Sequence, residues 1–379
     1  MALAIIDTGT DRIKSAKTDP DILEKFGWLA KKAGEKSSDL DLLGERADTL
    51  ILDLIEKEPD LTAIFNAVSS FNEAVTCTII QNRFEELIQK TDLHNLVPFC
   101  WINMGSDARR EQVARTDQDN ALIYADPPRD QKQETEAFYS RLAQEVVKDL
   151  DRFGFRLCKG NVMATNPVWR RSLSQWLKVL DQWVGSAEPE DVRKLTILLD
   201  FRPLCGDKAL ARKLQSRVLA LFDKNVSVSH YLTRDDSLFA SPKTFFGRIR
   251  TQKGKQGQSC FNLKTTGLAH LVNCIRILAL NNGIRPASTL DRMDGLLDKK
   301  VLSPFEYGKI RAAFFLLTRL KIKNHLGKKN PGTIPVNCID LSSLSNKKTE
   351  EFKRALYTIS RLQKRVNKTY NVPWMNFFN

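Results

Sequence analysis

Paired cysteines, histidines and long apolar runs are what this sequence has least of. Its seven cysteines (Cys77, Cys100, Cys158, Cys205, Cys260, Cys274, Cys338) are odd in number, scattered and never spaced as Cys-x-x-Cys. Its four histidines (His94, His230, His270, His325) show no metal-ligand spacing either. Neither a disulfide framework nor a zinc ribbon is indicated, and a reducing cytoplasm is the natural setting. No apolar run reaches about 18 residues, so no membrane span is expected. The start, MALAIIDTGTDRIKSAK, has no basic segment ahead of an apolar one, which argues against a signal peptide. Internal repeats and extended low-complexity tracts are missing as well.

What remains is a chain of 379 residues, 42% hydrophobic and 27% charged, the composition of a soluble globular protein of two or three domains. Its charge is unevenly spread. Residues 241–379 hold 26 Lys+Arg against 7 Asp+Glu, a net +19, while the whole chain carries +14. Such a basic half points to an anionic partner: nucleotide phosphates, nucleic acid or an acidic protein. The alternative is a basic helical surface that is simply well solvated. Aromatic residues do not interleave with the basic ones, which weighs against direct nucleic-acid binding.

Residues 20–90 read as helices, with Asp cap signals ahead of DILEKFGWLAKK and LDLLGERADTLILDLIEK. After Pro59, Ile64, Phe65, Val68, Phe71, Val75, Ile79, Phe84 and Leu87 recur at helical spacing, a core stripe without evident chemistry. The period then changes. Pro98–Met104 and Asn120–Tyr124 read as buried strands, Gln131–Phe153 as a helix and Lys194–Phe201 as a third strand. VWRRSLSQWLKVLDQWV reads as helical, with Trp169, Trp176 and Trp183 at core spacing, and beyond about residue 205 the pattern predicts helices and no strand. The expected fold class is α+β: a helical N-terminal region (1–90), a small mixed β-sheet domain (91–205) and a basic all-α C-terminal domain (206–379). The apolar helices at Leu268–Leu280 and Ala312–Leu320 could serve a core or an oligomer contact, and periodicity does not choose.

Between the first two strands lies NMGSDARREQVARTDQDNALIYAD, whose charge is ordered. Asp117 and Asp119 flank one residue at a strand start, and strand side chains alternate, so both project from one face. Two such carboxylates repel unless a cation sits between them. Magnesium, a hard ion held by one or two carboxylates plus substrate phosphates, answers that need. Gly105 lets the backbone approach a phosphate and Ser106 adds a hydroxyl and an amide, while a helix starting within Asp107–Val113 would favour the same anion. Either motif alone is an ordinary turn or a solvated loop. Their joint occurrence between two apolar strands is much more specific.

On these residues the chain resembles the polymerase-β-like nucleotidyltransferases, marked by Gly-Ser, about ten residues and Asp-x-Asp. More narrowly, GSDARREQVARTDQDNALIY resembles the protein-PII uridylyltransferase group, nearest to nucleotidyltransferase-like proteins often fused to CBS or cyclic-nucleotide-binding domains. KGNVMATNPVWRRSLSQWLKVLDQWV, LTILLDFRPLCGDKALA, FNLKTTGLAHLVNCIRILALNNGI and SRLQKRV continue the resemblance, which runs from about residue 60 to about residue 366.

The resemblance implies that Gly105 and Ser106 contact nucleotide phosphates and that Asp117 and Asp119 bind magnesium. Arg109 is suited to a phosphate, and Glu111 to fixing that arginine or the turn. Asp200, ending LTILLD, is the candidate third carboxylate, as metal ligand or as base for an acceptor hydroxyl. Arg170, Arg171, Arg202 and Lys264 are cations in matching blocks, suited to phosphate or acceptor, with a surface salt bridge as the alternative. Lys253 and Lys255 sit in a basic loop that could close over a nucleotide. Two departures stand out: Ala108 replaces a family glycine and Asn262 a family acid. The implied reaction uses two magnesium ions, with manganese as a substitute, and moves a nucleoside monophosphate from UTP or ATP to an acceptor hydroxyl. The acceptor expected first is a signalling protein. A small molecule or an RNA end is the alternative acceptor, and a non-catalytic nucleotide-binding regulator the alternative class.

Overall fold

The computed structural model describes residues 13, 18–35, 39–91, 96–113, 115–186, 188–224, 226–238, 249–253, 259–326 and 337–370. Lys255 lies outside them. The architecture is α+β, mostly helical with a small mixed sheet. The chain divides into two compact units, Met1–Gln182 with Ile197–Arg217, and Trp183–Thr196 with Val218–Asn379.

In the first unit, helices Pro20–Lys32, Leu40–Lys57 and Leu61–Ile88 each begin behind an aspartate, the first two at the Asp cap signals and the third at Asp60, one residue past Pro59. The Asp19, Asp39 and Asp60 carboxylates accept from Asp21 N (3.0 Å), Asp41 N (3.1 Å) and Thr62 N (3.0 Å), filling amide valences the first turn leaves open. Leu61–Ile88 is long and apolar enough to cross a membrane, but its apolar window is 89% buried within the fold. It is a core helix. Phe71 on it stacks on Phe26 at 4.5 Å, and Phe84 meets Phe99 of the sheet at 5.2 Å.

The sheet orders its strands β3-β2-β1-β4, where β1 is Phe99–Asn103, β2 Asn120–Tyr124, β3 Arg170–Ser172 and β4 Arg202–Gly206. β1 runs antiparallel to both β2 and β4, and β2 parallel to β3. Asn103 is opposite Asn120 on one side and Arg202 on the other, so the loops carrying Gly105, Asp119 and Asp200 leave from one end of three adjacent strands. That register positions the site.

Three expectations need correction. The apolar run at Lys194–Phe201 is no strand: Pro189–Leu198 is a helix. Pro189 opens it with Glu190 and Asp191 in the first turn, which suits a helix N-terminus, and Val192, Leu195 and Leu198 are buried at helical spacing. The strand follows as β4. Within VWRRSLSQW, Arg170–Ser172 pairs as β3 and the helix starts only at Leu173. Ser172 N donates to Gln175 Oε1 (2.9 Å) and Gln175 N to Ser172 Oγ (3.4 Å), a reciprocal cap that fixes this start. Trp169, Trp176 and Trp183 are buried, as core residues should be, though Trp169 precedes the helix.

The third correction lies in the second unit, where helices Val226–Leu238, Ala269–Asn281, Thr289–Asp298, Pro304–Leu326 and Asn346–Tyr370 accompany a three-stranded sheet. Its strands β5 (Gln252–Lys253), β6 (Ser259–Asn262) and β7 (Cys338–Ile339) are too short to impose a period on the sequence. Leu271, Ile275, Leu278 and Phe314, Leu317 of the two apolar helices are buried in this fold. Asn346–Tyr370 buries Phe352, Leu356, Ile359 and Leu362 and leaves Lys347, Arg354, Arg361 and Lys368 exposed, so part of the basic surplus lies on one helix face.

Candidate active site

β1 ends at Asn103, and Met104 N donates to Asp119 O at 2.8 Å, tying the turn to the Asp-x-Asp segment. Gly105 follows with φ +58°, a conformation L side chains rarely adopt. A β-carbon there would also lie 2.5 Å from Asp119 Oδ2. The glycine therefore answers two constraints, backbone twist and close approach of a carboxylate.

The helix expected within Asp107–Val113 is a single turn, Gly105–Ala108. It stops because Arg110 swings to φ +59°, with Arg110 N on Asp107 O (2.9 Å) and Glu111 N on Ser106 O (2.9 Å). Ala108 is buried inside that turn and is not among the positive-φ residues, so the replacement of the family glycine needs no special backbone.

The alternation expected of Thr-Asp-Gln-Asp-Asn holds. Gln118 turns inward, its Nε2 donating to Val147 O (3.0 Å) and Phe155 O (2.8 Å). Asn120 is buried too, with Oδ1 accepting from Ala164 N at 2.8 Å. Asp117 is exposed and Asp119 half-buried, and both line a small, partly open cleft with Asn103, Asp107 and Thr76. The amides of Gln118 and Asn120 anchor the segment that carries both acids.

Asp107 crowds the same cleft. Burial pushes its carboxyl up to about 7; Arg202 and Arg110 oppose the rise, Glu73 and Asp119 add to it. Asn103 Nδ2 donates to its Oδ2, whereas its Oδ1 is buried with no hydrogen-bond partner. The Cys158 thiol is raised chiefly by burial and further by neighbouring Asp119.

Arg109 and Asp200 come together, but on each other. Arg109 Nη1 donates to Asp200 Oδ2 at 2.7 Å and its Nε to Glu111 Oε2 at 2.9 Å. Burial opposes the Arg109 charge, yet Glu111 and Asp200 raise its pKa above the ordinary value. Asp200 stands in the turn before β4, not at a strand end, and is not among the residues lining the cleft.

Arg202 and Arg110 share a partner that sequence reasoning missed. Glu73, buried in the long core helix, accepts from Arg202 Nη2 at 2.7 Å and lies 3.5 Å from Arg110 Nε. Arg202 Nε also reaches Ala108 O (3.2 Å), and Arg110 Nη2 reaches Ser70 Oγ (2.9 Å). The signal was present: a glutamate in the middle of an apolar stripe, with serines beside it. Arg170 Nη1 is spent on Ala164 O (2.6 Å) and Thr165 O (2.9 Å), and Arg171 Nε on Val168 O (3.0 Å). Burial lowers both guanidinium pKa values. Lys264 is exposed in the second unit, where Asn262 Oδ1 accepts its amide at 3.0 Å; Asn262 thus caps a helical turn, a task an aspartate performs equally well.

Among the described residues no three His, Cys, Asp or Glu side chains are gathered to hold a metal ion. The donor set nevertheless fits a hard cation that keeps substrate oxygens in its shell. Asp117 and Asp119 share the cleft with a buried carboxylate oxygen that lacks a donor. A set completed by Asp200 is not assembled.

The Gly-Ser turn and the Asp-x-Asp pair thus meet at the ends of adjacent antiparallel strands. Residues 45–190 match the family model "Putative nucleotidyltransferase DUF294" and residues 227–370 the model "Putative nucleotidyltransferase substrate binding domain". The chain belongs to this nucleotidyltransferase family. A search of curated proteins gives no match.

Proposed function

We propose that this protein moves a nucleoside monophosphate from UTP or ATP to a hydroxyl on a protein acceptor, with magnesium as the ion and manganese able to replace it. The observation that carries the reading is the close approach of Asp119 to Gly105: an acid that lines the cleft lies directly against the Gly-Ser turn. In the reaction the acceptor hydroxyl gives up its proton to solvent, its oxygen bonds to the α-phosphorus, the bond from that phosphorus to the bridging oxygen breaks, and pyrophosphate leaves.

Gly105 and Ser106 receive the phosphates and hold the α-phosphorus in line with the acceptor, so positioning supplies much of the rate. Asp117 and Asp119 hold the ion, with Asp200 as the third acid. The ion supplies charge neutralisation at the phosphates. Asp107 and Asn103 shape the wall beside them, and Glu73 steadies the turn through Arg110 and Arg202.

A domain matched as substrate-binding favours a macromolecular acceptor over a free small molecule. The basic surplus of residues 241–379 favours an acidic acceptor surface, and keeps an RNA end as the second reading. The test is incubation with each α-labelled nucleoside triphosphate and magnesium, with and without cell extract. Label in a protein band sustains the proposal, and label in RNA moves it to the second reading. Nucleotide binding without turnover in any combination defeats catalysis and leaves a regulator.

A further inference from the structure

Arg109 was expected to meet a phosphate and Asp200 a metal ion or the acceptor hydroxyl, yet each occupies the other. The side chains of Arg109, Glu111 and Asp200 are 14%, 9% and 1% exposed, so their ion pairs are shielded from the water that weakens surface pairs. The guanidinium is a fork with separate edges. One edge is anchored to Glu111 on the same turn, two residues away, and the other holds Asp200, ninety-one residues along the chain. Asp200 is absent from the lining of the cleft that Asp117, Asp119 and Asp107 share.

We propose that Arg109 is a substrate-operated latch on Asp200. The inference rests on the nucleotidyl-transfer reading above. In the nucleotide-free protein the guanidinium neutralises Asp200 and withholds it from a divalent cation. Asp117 and Asp119 already face the cleft, and a further ionised acid would draw a cation in without substrate. An arriving triphosphate competes for the Asp200-facing edge of Arg109, while the bond to Glu111 keeps the arginine on the turn. Asp200 is thereby released toward the ion that enters with the nucleotide. Arg109 is a positioning residue acting through Asp200, and metal and nucleotide each tighten the other's binding, as linkage requires.

The test is manganese binding to the full chain, followed by electron paramagnetic resonance without nucleotide. Arg109→Gln is expected to bind Mn²⁺ about fivefold or more tightly than the unaltered protein. Arg109→Gln with Asp200→Asn should fall back to the unaltered level. Adding α,β-methylene ATP or UTP should tighten Mn²⁺ in the unaltered protein and add little in Arg109→Gln. A folded Arg109→Gln, judged by circular dichroism, that binds Mn²⁺ no more tightly overturns the latch. If that variant does not fold, Arg109→Lys decides: one ammonium satisfies the two acids less well, so tighter Mn²⁺ binding supports the latch and unchanged binding overturns it. Asp119→Asn separates the two claims, because Mn²⁺ binding that ignores this change removes the metal cleft itself rather than the latch.

Discussion

Gly105 and Asp119 are packed so closely that a β-carbon at residue 105 would lie only 2.5 Å from Asp119 Oδ2. Gly105→Ala meets this clash and the φ of +58° together. The strain is about 1–3 kcal/mol. Because the strained element is the turn facing the acids, transfer should fall about a hundredfold, a loss typical of misplacement near 1 Å. Steady-state kinetics beside a thermal melt checks this, and near-normal kcat/KM would mean the turn is not where the phosphates sit.

Glu73 carries a second expectation. It is 1% exposed and serves two guanidiniums, those of Arg110 (33% exposed) and Arg202 (22% exposed). Glu73→Ala strips both of their shared anion, and breaking a buried pair from one side costs about 3–5 kcal/mol. Partial exposure of the arginines moves the expectation to the lower end, about 3 kcal/mol. Urea unfolding of Glu73→Ala against the unaltered chain measures it. A loss under about 1 kcal/mol would show the cluster to be dispensable surface electrostatics.

How far the sequence carried the site is visible in these residues. The Gly-Ser turn, the Asp-x-Asp pair and the alternation around Gln118 were legible because each is local: a backbone constraint or a period of two within a few residues. The helix starts at Asp19 and Asp39 were legible for the same reason. Pro189–Leu198 was misread because a short buried helix and a buried strand are equally apolar, and only Pro189 with its two following acids distinguishes them. The Ser-x-x-Gln cap signal at Ser172 and Gln175 marks the later helix start, which tryptophan spacing alone does not reveal. The partnership of Arg109 with Asp200 and that of Glu73 with Arg202 join residues far apart in the chain, and no local pattern encodes either.

Asp107 predicts a pH dependence. Its carboxyl is raised in the folded protein to about 7 from an ordinary 3.8, burial being the main cause. The folded state then holds a proton that the unfolded chain has already released between those two values. Stability contributed by this group is greatest at low pH and declines as pH climbs toward 7, the reverse of a salt-bridged aspartate. Asp107→Asn removes the ionisation, so the variant should gain on the unaltered protein as pH rises from 5 to 8. Melting temperatures at both pH values, in metal-free buffer, make the comparison. An equal offset at both would place the Asp107 proton elsewhere.

Asp119→Asn should separate chemistry from folding. The change keeps shape and hydrogen-bonding capacity but removes the charge that a divalent ion requires, and the Met104 tie uses the residue 119 backbone carbonyl, not its side chain. The fold should therefore survive within about 1 kcal/mol, as most substitutions away from a buried network do. Nucleotidyl transfer should drop by about a thousandfold, since the positioned charge opposite the phosphates is lost. Chelation should reproduce that loss in the unaltered protein, and magnesium or manganese should restore it there but not in the variant. Transfer that survives both chelation and Asp119→Asn would mean that the two acids on this strand serve the fold, and that the reaction takes place without them.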